Sequence, residues 1–165
     1  MTATGRSLMI TTPSEKEIAM TRVFDAPRRL VFDAHTRPEL VKRWLLGPDG
    51  WSMPVCEMDL RVGGRYRWVW RRDSDGTEMC SGGVYREIVV PERIVCTEQF
   101  EQPWYPGQAV NTIVLVESGG QTTLTQTMAY DSREIRDKVL ESGMESGVET
   151  SYRRLDAMFE AGGKA

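Results

Sequence analysis

An alternating run of aromatic residues is the feature of this sequence best suited to binding chemistry. Tyr66, Trp68 and Trp70 alternate with arginines, which is the two-residue period of a β-strand. Three large rings on one face of a strand would line a pocket for an apolar or aromatic molecule, and their N–H and O–H groups need partners when they are buried. The same rings would also serve as ordinary core beneath a helix. The opposite orientation is disfavoured because it would bury the arginines with too few partners.

Other apolar residues are candidates for the same pocket. Trp104 lies in a loop between prolines, where an aromatic side chain can gate a pocket, meet a partner, or simply pack over the edge of a sheet. Methionine side chains adapt to irregular apolar shapes. The apolar residues that we expect to line the pocket, besides the aromatic run, are Met79, Phe100, Trp104, Met144, Gly147 and Val148.

Three polar residues in strand-like segments, Glu98, Gln126 and Tyr85, are candidates for orienting a ligand. If Glu98 faces the pocket, desolvation raises its pKa and makes it a candidate acid or ligand anchor. The alternative is a solvated position, with a salt bridge to Arg67 or Arg86 at the rim. Gln126 would supply a hydrogen bond inside the pocket.

Catalytic and metal-binding motifs are not evident. His35 is the only histidine, and no GxSxG elbow accompanies it, so a Ser-His-Asp triad is not indicated. The glycine pairs lack the spacing and lysine of a P-loop, and no GxGxxG fingerprint occurs. Cys56, Cys80 and Cys96 form no CxxC pair and are expected to be reduced core thiols. We therefore predict no catalytic set, no metal and no cofactor.

The net charge and the hydropathy of the sequence indicate which partners and which cellular location to expect. The net charge of −3 argues against a nucleic-acid-binding protein, which favours a strongly basic face. The sequence contains no run of about 18 apolar residues, so no membrane span is predicted. The first residues lack the apolar core of a secretory signal, so we expect a cytoplasmic protein. Residues 1–16 are predicted to be a flexible arm, in which residues 8–10 either add an edge strand or stay disordered.

The elements that must position these residues follow from hydrophobic periodicity. A strand over 17–24 is followed by two short helices over 28–35 and 38–44, and then by six strand-like segments joined by short turns. Such a series forms an antiparallel meander, which the first strand completes. A single long helix over 131–161 closes the chain, with Gly143 and Gly147 inside it for a close approach. The prediction is one α+β domain over residues 17–161, in which a curved antiparallel sheet of six to seven strands wraps around the C-terminal helix.

Several phrases, read in order, resemble a known family. They are residues 22–27 (RVFDAP), 31–34 (VFDA), 36–39 (TRPE), 59–64 (DLRVGG), 83–88 (GVYREI), 91–95 (PERIV) and 152–156 (YRRLD). Together with Trp44, Gly143 and Gly147, they resemble the activator-of-heat-shock-ATPase-like branch of the START/SRPBCC (Bet v-like) superfamily, over about residues 17–160.

The resemblance implies a helix-grip fold with a deep cavity between the curved sheet and the C-terminal helix. Relatives hold lipids, polyketides, plant hormones or other apolar molecules there, so the expected partner is a hydrophobic small molecule. Some relatives are cyclases or hydrolases, and an enzyme of that kind is one alternative, with Glu98, Glu57 and Tyr85 as its first candidate residues. The namesake domain contacts a chaperone, so a stress-related module that modulates a chaperone ATPase is another. Homodimerisation is plausible for this class.

Overall fold

Eight strands form one antiparallel sheet in the computed structural model, which describes residues 7–162. They are β1 (Met9–Thr11), β2 (Glu17–Phe24), β3 (Trp51–Met58), β4 (Arg65–Arg72), β5 (Glu78–Val89), β6 (Arg93–Phe100), β7 (Ala109–Ser118) and β8 (Gln121–Ala129). The order across the sheet is β1-β2-β8-β7-β6-β5-β4-β3. The predicted six-stranded meander is therefore confirmed, and β2 completes it by pairing with β8.

The sheet has one strand more than the predicted upper number of seven. The additional strand is β1, which pairs with β2 through Met9, Ile10 and Thr11. Of the two alternatives for residues 8–10, the structure shows the edge strand. The first six residues of the predicted arm lie outside the described residues.

Four helices accompany the sheet: α1 (Arg28–Thr36), α2 (Pro38–Trp44), α3 (Arg133–Glu141) and α4 (Met144–Gly162). The two short helices agree with the prediction, but the single long helix over 131–161 is wrong. Gly143 adopts a φ of 83°, which is left-handed and ends a right-handed helix. The apolar spacing continues across this break, so periodicity alone did not reveal it. No helix between residues 7 and 162 is long and apolar enough to span a membrane.

The core lies between the concave face of the sheet and the helices. Tyr152 of α4 packs edge-on against Phe24 of β2 at 5.2 Å between ring centroids and stacks near Trp44 of α2 at 5.8 Å. A second apolar cluster lies under α3, around Ile135 and Val139. Val148 of α4 packs against both clusters. The concave face is therefore covered by α3 at one end and by α4 along its length.

Polar contacts fix the C-terminal half of α4 to the rest of the molecule. The fully buried guanidinium of Arg22 donates two hydrogen bonds to Asp156, at 2.9 and 2.8 Å. Arg154 donates to the carbonyl of Gly47, and Ser151 accepts from the amide of Gly47 at 2.8 Å. By contrast, no residue from 141 to 150 is buried. The first turns of α4 are thus the less firmly held part of the roof.

Candidate functional site

The register of the sheet places small side chains in the middle of its concave face. Trp68 pairs with Ser81, and Ser81 pairs with Phe100, so these three form one row. In the neighbouring row Glu98 pairs with Ala109 of β7. Directly paired residues share a face of the sheet. The aromatic rings on β4 are therefore flanked on β5 by Gly83 and Ser81, and Glu98 on β6 is flanked on β7 by Ala109. We refer to Trp68, Ser81, Glu98, Phe100 and Tyr105 as the Glu98 cluster.

Glu98 is a half-buried acid on the inner face of β6. Among residues 7–162 it forms no hydrogen bond or ion pair. Burial raises its pKa to about 7. The charge of Glu98 contributes to raised pKa values of Tyr66, Tyr105 and Tyr130, which places all three hydroxyls near it. The rim salt bridge considered for Glu98 is not formed with Arg67, which pairs with Glu101 at 2.6 and 3.1 Å instead.

Three donors of the Glu98 cluster are also without partners. The indole Nε1 of Trp68, the hydroxyl of Ser81 and the hydroxyl of Tyr105 are buried and have no hydrogen-bond partner within the described chain. Buried polar groups are paired in the great majority of proteins, and each unpaired one calls for an explanation. An acceptor without a partner and three donors without partners therefore lie in the same part of the concave face.

Other members of the predicted aromatic wall are already paired. The hydroxyl of Tyr66 donates to the carbonyl of Thr97 at 2.6 Å, and its ring lies 5.4 Å from that of Tyr85. The indole of Trp70 donates to the carbonyl of Leu45 at 2.7 Å, which joins β4 to the end of α2. The rings of Tyr66, Trp70 and Tyr85 supply apolar surface. The donor groups of Tyr66 and Trp70 are already used in hydrogen bonds to the backbone.

Gln126 takes part in a polar network that joins the sheet to α4. Its amide oxygen accepts from the hydroxyl of Tyr152 at 3.2 Å, and its nitrogen donates to Asn111 at 3.0 Å. Asn111 in turn lies 3.9 Å from the sulfur of Cys96. Since both the oxygen and the nitrogen of this amide are hydrogen-bonded, Gln126 links the sheet to α4.

The predicted roof residues divide into two groups. Met144 and Val148 are half-buried and face the apolar clusters. Gly147 instead faces the loop after α2, where a Cβ would lie 3.4 Å from the Cδ of Pro48. Met79 is 39% exposed and lies at the rim, paired with Trp70. Only Met144 and Val148 therefore continue the apolar surface over the sheet.

The loop over residues 101–107 packs against the end of β6. The ring centroid of Trp104 lies 6.2 Å from that of Phe100, and Tyr105 is buried 5.6 Å from Tyr130. Lys138 of α3 donates to the carbonyl of Trp104, and its ammonium lies 6.0 Å from the indole ring. Of the three roles considered for Trp104, the geometry favours packing over the sheet edge.

Sequence reasoning did not find an open groove of about 620 Å³ that crosses β3 to β6. Side chains of Arg65, Arg67 and Glu101 line it, together with the backbone at Gly82. A Cβ on Gly82 would lie 2.4 Å from the carbonyl oxygen of Tyr66, so glycine is required there. No periodic signal marks such a groove, because it arises from the missing side chain and the bend of the sheet.

His35 lies in the last turn of α1 and is half-buried. Its Nδ1 lies 2.8 Å from the carbonyl of Val31, so this nitrogen carries the proton, and the ring packs 4.8 Å from Trp44. Burial lowers its pKa to about 4. In the described part of the chain no three His, Cys, Asp or Glu side chains are arranged to hold a metal ion.

A family model described as "Activator of Hsp90 ATPase homolog 1-like protein" matches residues 25–160. The chain belongs to this family. The predicted family and the predicted helix-grip class of fold are thereby confirmed. The fold is of a general ligand-binding type, and the match specifies no ligand.

Solved structures of several bacterial proteins share the fold. A protein from Rhodobacter sphaeroides is 29% identical, with a TM-score of 0.88 over 94% of this chain and 99% of that one. A protein from Nitrosomonas europaea is 25% identical, with a TM-score of 0.80 over 93% and 100%. A protein from Chromobacterium violaceum is 29% identical, with a TM-score of 0.76 over 89% and 99%. No curated protein matches the chain significantly.

Proposed function

We propose that this family member binds an apolar or aromatic small molecule between the concave face of the sheet and the first turns of α4. The observation that carries the proposal is the Glu98 cluster, where unpaired polar atoms are surrounded by aromatic rings. Binding sites combine a mostly apolar surface with a few polar groups that orient the ligand.

The arrangement of side-chain sizes supports the same conclusion. Large rings on β4 and in the loop over residues 101–107 flank Ser81, Gly83 and Ala109, which are among the smallest side chains available. Protein interiors are normally packed to crystal-like density. Small residues in the middle of a curved face would provide space for a ligand, and the half-buried Val148 and Met144 pack against the apolar clusters over that face.

Energetics favour a bound molecule at this position. A buried polar group without a partner costs about 1–3 kcal/mol, so a ligand that pairs with these groups removes that cost. Apolar contact adds roughly 25 cal/mol for each Å² removed from water. These contributions together are large enough for micromolar affinity after ordering costs of several kcal/mol.

The test begins with native mass spectrometry of freshly purified protein and identification of any molecule released on denaturation. Binding of the identified compound is then followed by the fluorescence of the five tryptophans. We expect a stoichiometric compound whose binding Ala109→Leu abolishes, because the added side chain would fill the space beside Glu98. Val116→Leu is the matched control, since it lies on the same strand and is 57% exposed.

Two results would contradict or change the proposal. Binding that survives Ala109→Leu would place the ligand elsewhere, and the groove over β3 to β6 would be the next location to test. A clean apo mass, no fluorescence change with lipids, flavonoids or polyketides, and strong destabilisation by Ala109→Leu would show that the interior is filled. A partner search, including a chaperone, would follow from that result. Chemical conversion of the compound would indicate an enzyme.

A further inference from the structure

Arg22 on β2 and Glu98 on β6 are charged side chains on the inner face of the sheet, and of these two only Arg22 has an ion-pair partner among the described residues. Arg22 is fully buried, but Asp156 binds it through two hydrogen bonds and Glu149 lies 3.6 Å away. Glu98 has no such partner in the described residues. An unpaired carboxylate in a desolvated site is unfavourable, and a cation is the group that relieves this most effectively.

The surroundings of Glu98 are suited to a cation as well. Phe100 follows on the same inner face, and the ring centroids of Trp104 and Tyr105 lie 6.2 and 6.3 Å from that of Phe100. The ring of Tyr130 lies 5.6 Å from that of Tyr105. The faces of aromatic rings carry negative electrostatic potential and attract ammonium groups. A carboxylate among aromatic rings therefore provides both parts of an ammonium-binding site.

We propose that the ligand of this site carries a basic nitrogen, so that its chemical class is an aromatic or alicyclic amine whose ammonium group pairs with the carboxylate of Glu98. This inference rests on the proposed function, because it specifies which molecule the concave face takes.

Anionic ligands fit the site less well. An anion placed near Glu98 would meet a like charge, and Arg22 is already bound to two carboxylates. Lys138, which approaches from α3, donates to the carbonyl of Trp104. Burial raises the pKa of Glu98, and no cation pairs with its carboxylate among the described residues.

The titratable groups that face Glu98 leave it as the group that changes charge near neutral pH. They are Tyr66 on β4, Cys96 on the same strand, Tyr105 in the loop over residues 101–107 and Tyr130 after β8. Burial raises the pKa of Cys96 to about 11, and the three tyrosines also have raised pKa values. All four are neutral between pH 5 and pH 9, so a change in amine affinity over this range reports on Glu98.

The experiment compares three probes of matched shape by isothermal titration calorimetry: 2-(2-naphthyl)ethylamine, 2-(2-naphthyl)ethanol and 2-naphthylacetate. At pH 8 we expect the amine to bind at least about 10-fold more tightly than the alcohol, since a desolvated charge pair contributes more than a neutral hydrogen bond. Of the three probes, 2-naphthylacetate should bind most weakly. From pH 8 to pH 5.5 the affinity for the amine should fall by about 10- to 30-fold as Glu98 takes up a proton, while the affinity for the alcohol stays constant.

Glu98→Gln keeps the size of the side chain and removes the charge. We expect the amine and the alcohol to bind this variant equally, with no dependence on pH. Glu145→Gln, an exposed acid in the first turn of α4, is the matched control and should retain the preference for the amine. The pH series on the unmodified protein provides the same test without any variant.

The outcomes separate this inference from the proposed function. Equal binding of amine and alcohol to the unmodified protein, or a preference for the acetate, overturns the inference and leaves a ligand-binding protein. Binding of none of the three probes, together with a clean apo mass, counts against both. A preference for the amine that Glu98→Gln leaves unchanged also overturns the inference, because another group would then hold the ammonium.

Discussion

A half-buried acid without a counter-ion lowers the stability of the protein that contains it. Glu98 is such an acid, and its pKa of about 7 means that both protonation states are populated near neutral pH. Few folds keep such a group unless it has a partner during function. At the scale of single residues, the acid of Glu98 lowers the stability of the ligand-free protein and is proposed to contribute to ligand binding.

We predict that Glu98→Gln stabilises the ligand-free protein at pH 8 and has little effect at pH 4. The pKa of Glu98 is higher in the folded state than in the unfolded state, where it is near 4.5. The folded state therefore binds more protons between these values, and stability falls as pH rises from about 4.5 through 7. The variant does not titrate and should gain up to about 3 kcal/mol at pH 8. Urea unfolding at both pH values measures this, and an equal effect at both would contradict it.

Two features of single residues, an unpaired hydroxyl and a buried ion pair, were not predicted from the sequence. The unpaired hydroxyl of Ser81 could not be predicted, because pairing depends on neighbours from other strands. The buried ion pair of Arg22 was hidden for the same reason, since Asp156 lies 134 positions away. Tyr66 and Trp68 pack in the core as the alternation along β4 indicates, because alternation along one strand is a local signal.

At the scale of elements, α4 is held to the sheet by a buried charge pair near its C-terminal half. Arg22 is 2% exposed, whereas ion pairs elsewhere on the sheet, such as Arg71 with Glu78, are exposed. Buried pairs differ from surface pairs because removal of one partner leaves a desolvated charge.

Asp156→Ala is accordingly expected to lower the free energy of unfolding by about 3 kcal/mol, since Arg22 would keep only the more distant Glu149. Glu78→Ala removes an acid from an exposed pair and should cost less than about 1 kcal/mol. Chemical denaturation of both variants at pH 7 measures the difference. Similar losses for the two variants would show that the Arg22 pair contributes no more than a surface pair.

The two glycines near the start of α4 should respond to substitution with opposite signs. Gly143 has a left-handed φ of 83°, so Gly143→Ala should cost roughly 1–2 kcal/mol although its Cβ would meet no atom within 4 Å. Gly147 is helical, and its Cβ would make ordinary contact with Pro48, so Gly147→Ala should be neutral or stabilise by up to about 1 kcal/mol. Thermal unfolding of the two variants gives the comparison. Stabilisation by Gly143→Ala would mean that one continuous helix is accessible to residues 133–162.

The same glycines explain why the predicted helix was wrong while most other boundaries were right. Either glycine could serve for a close approach or for a helix end, and the sequence does not distinguish the two. Strands were easier to place, because turn residues such as Asp73 to Gly76 mark both of their ends.

At the scale of the whole molecule, Glu98 and His35 give opposite dependences of stability on pH. The pKa of His35 falls to about 4 on folding from an ordinary value of 6.5, so its contribution to stability is present above 6.5 and is lost as pH falls toward 4. The contribution of Glu98 changes in the opposite direction between about 4.5 and 7. The two slopes overlap between pH 4.5 and 6.5.

We therefore predict that the unmodified protein has nearly constant stability between pH 4.5 and 6.5, and that Glu98→Gln uncovers the slope due to His35. In that variant the free energy of unfolding should fall by up to about 3 kcal/mol from pH 7 to pH 4. Adding His35→Phe, which keeps a ring against Trp44 and does not titrate, should remove the slope. Urea titrations at intervals of one pH unit provide the test, and a flat profile for Glu98→Gln alone would exclude this role of His35.

The overall architecture was largely accessible from the sequence, because it depends on the order of strand and helix patterns and on short turns. The family phrases lie mainly at turns and packing positions, so they identify the fold and leave the ligand open. What determines the ligand depends on rows that cross several strands, such as Trp68, Ser81 and Phe100. Those rows are set by register, and a single sequence carries little information about register.

The uneven anchoring of α4 has a consequence for how this protein can change over time. Its C-terminal half is tied to β2 and to the loop after α2, whereas Met144 and Val148 in its first turns are only half-buried. Substitutions at those two positions would alter the shape of the ligand site at little cost to folding. Selection can therefore revise what the molecule recognises through a few residues of one helix, while the remainder of that helix continues to specify the fold.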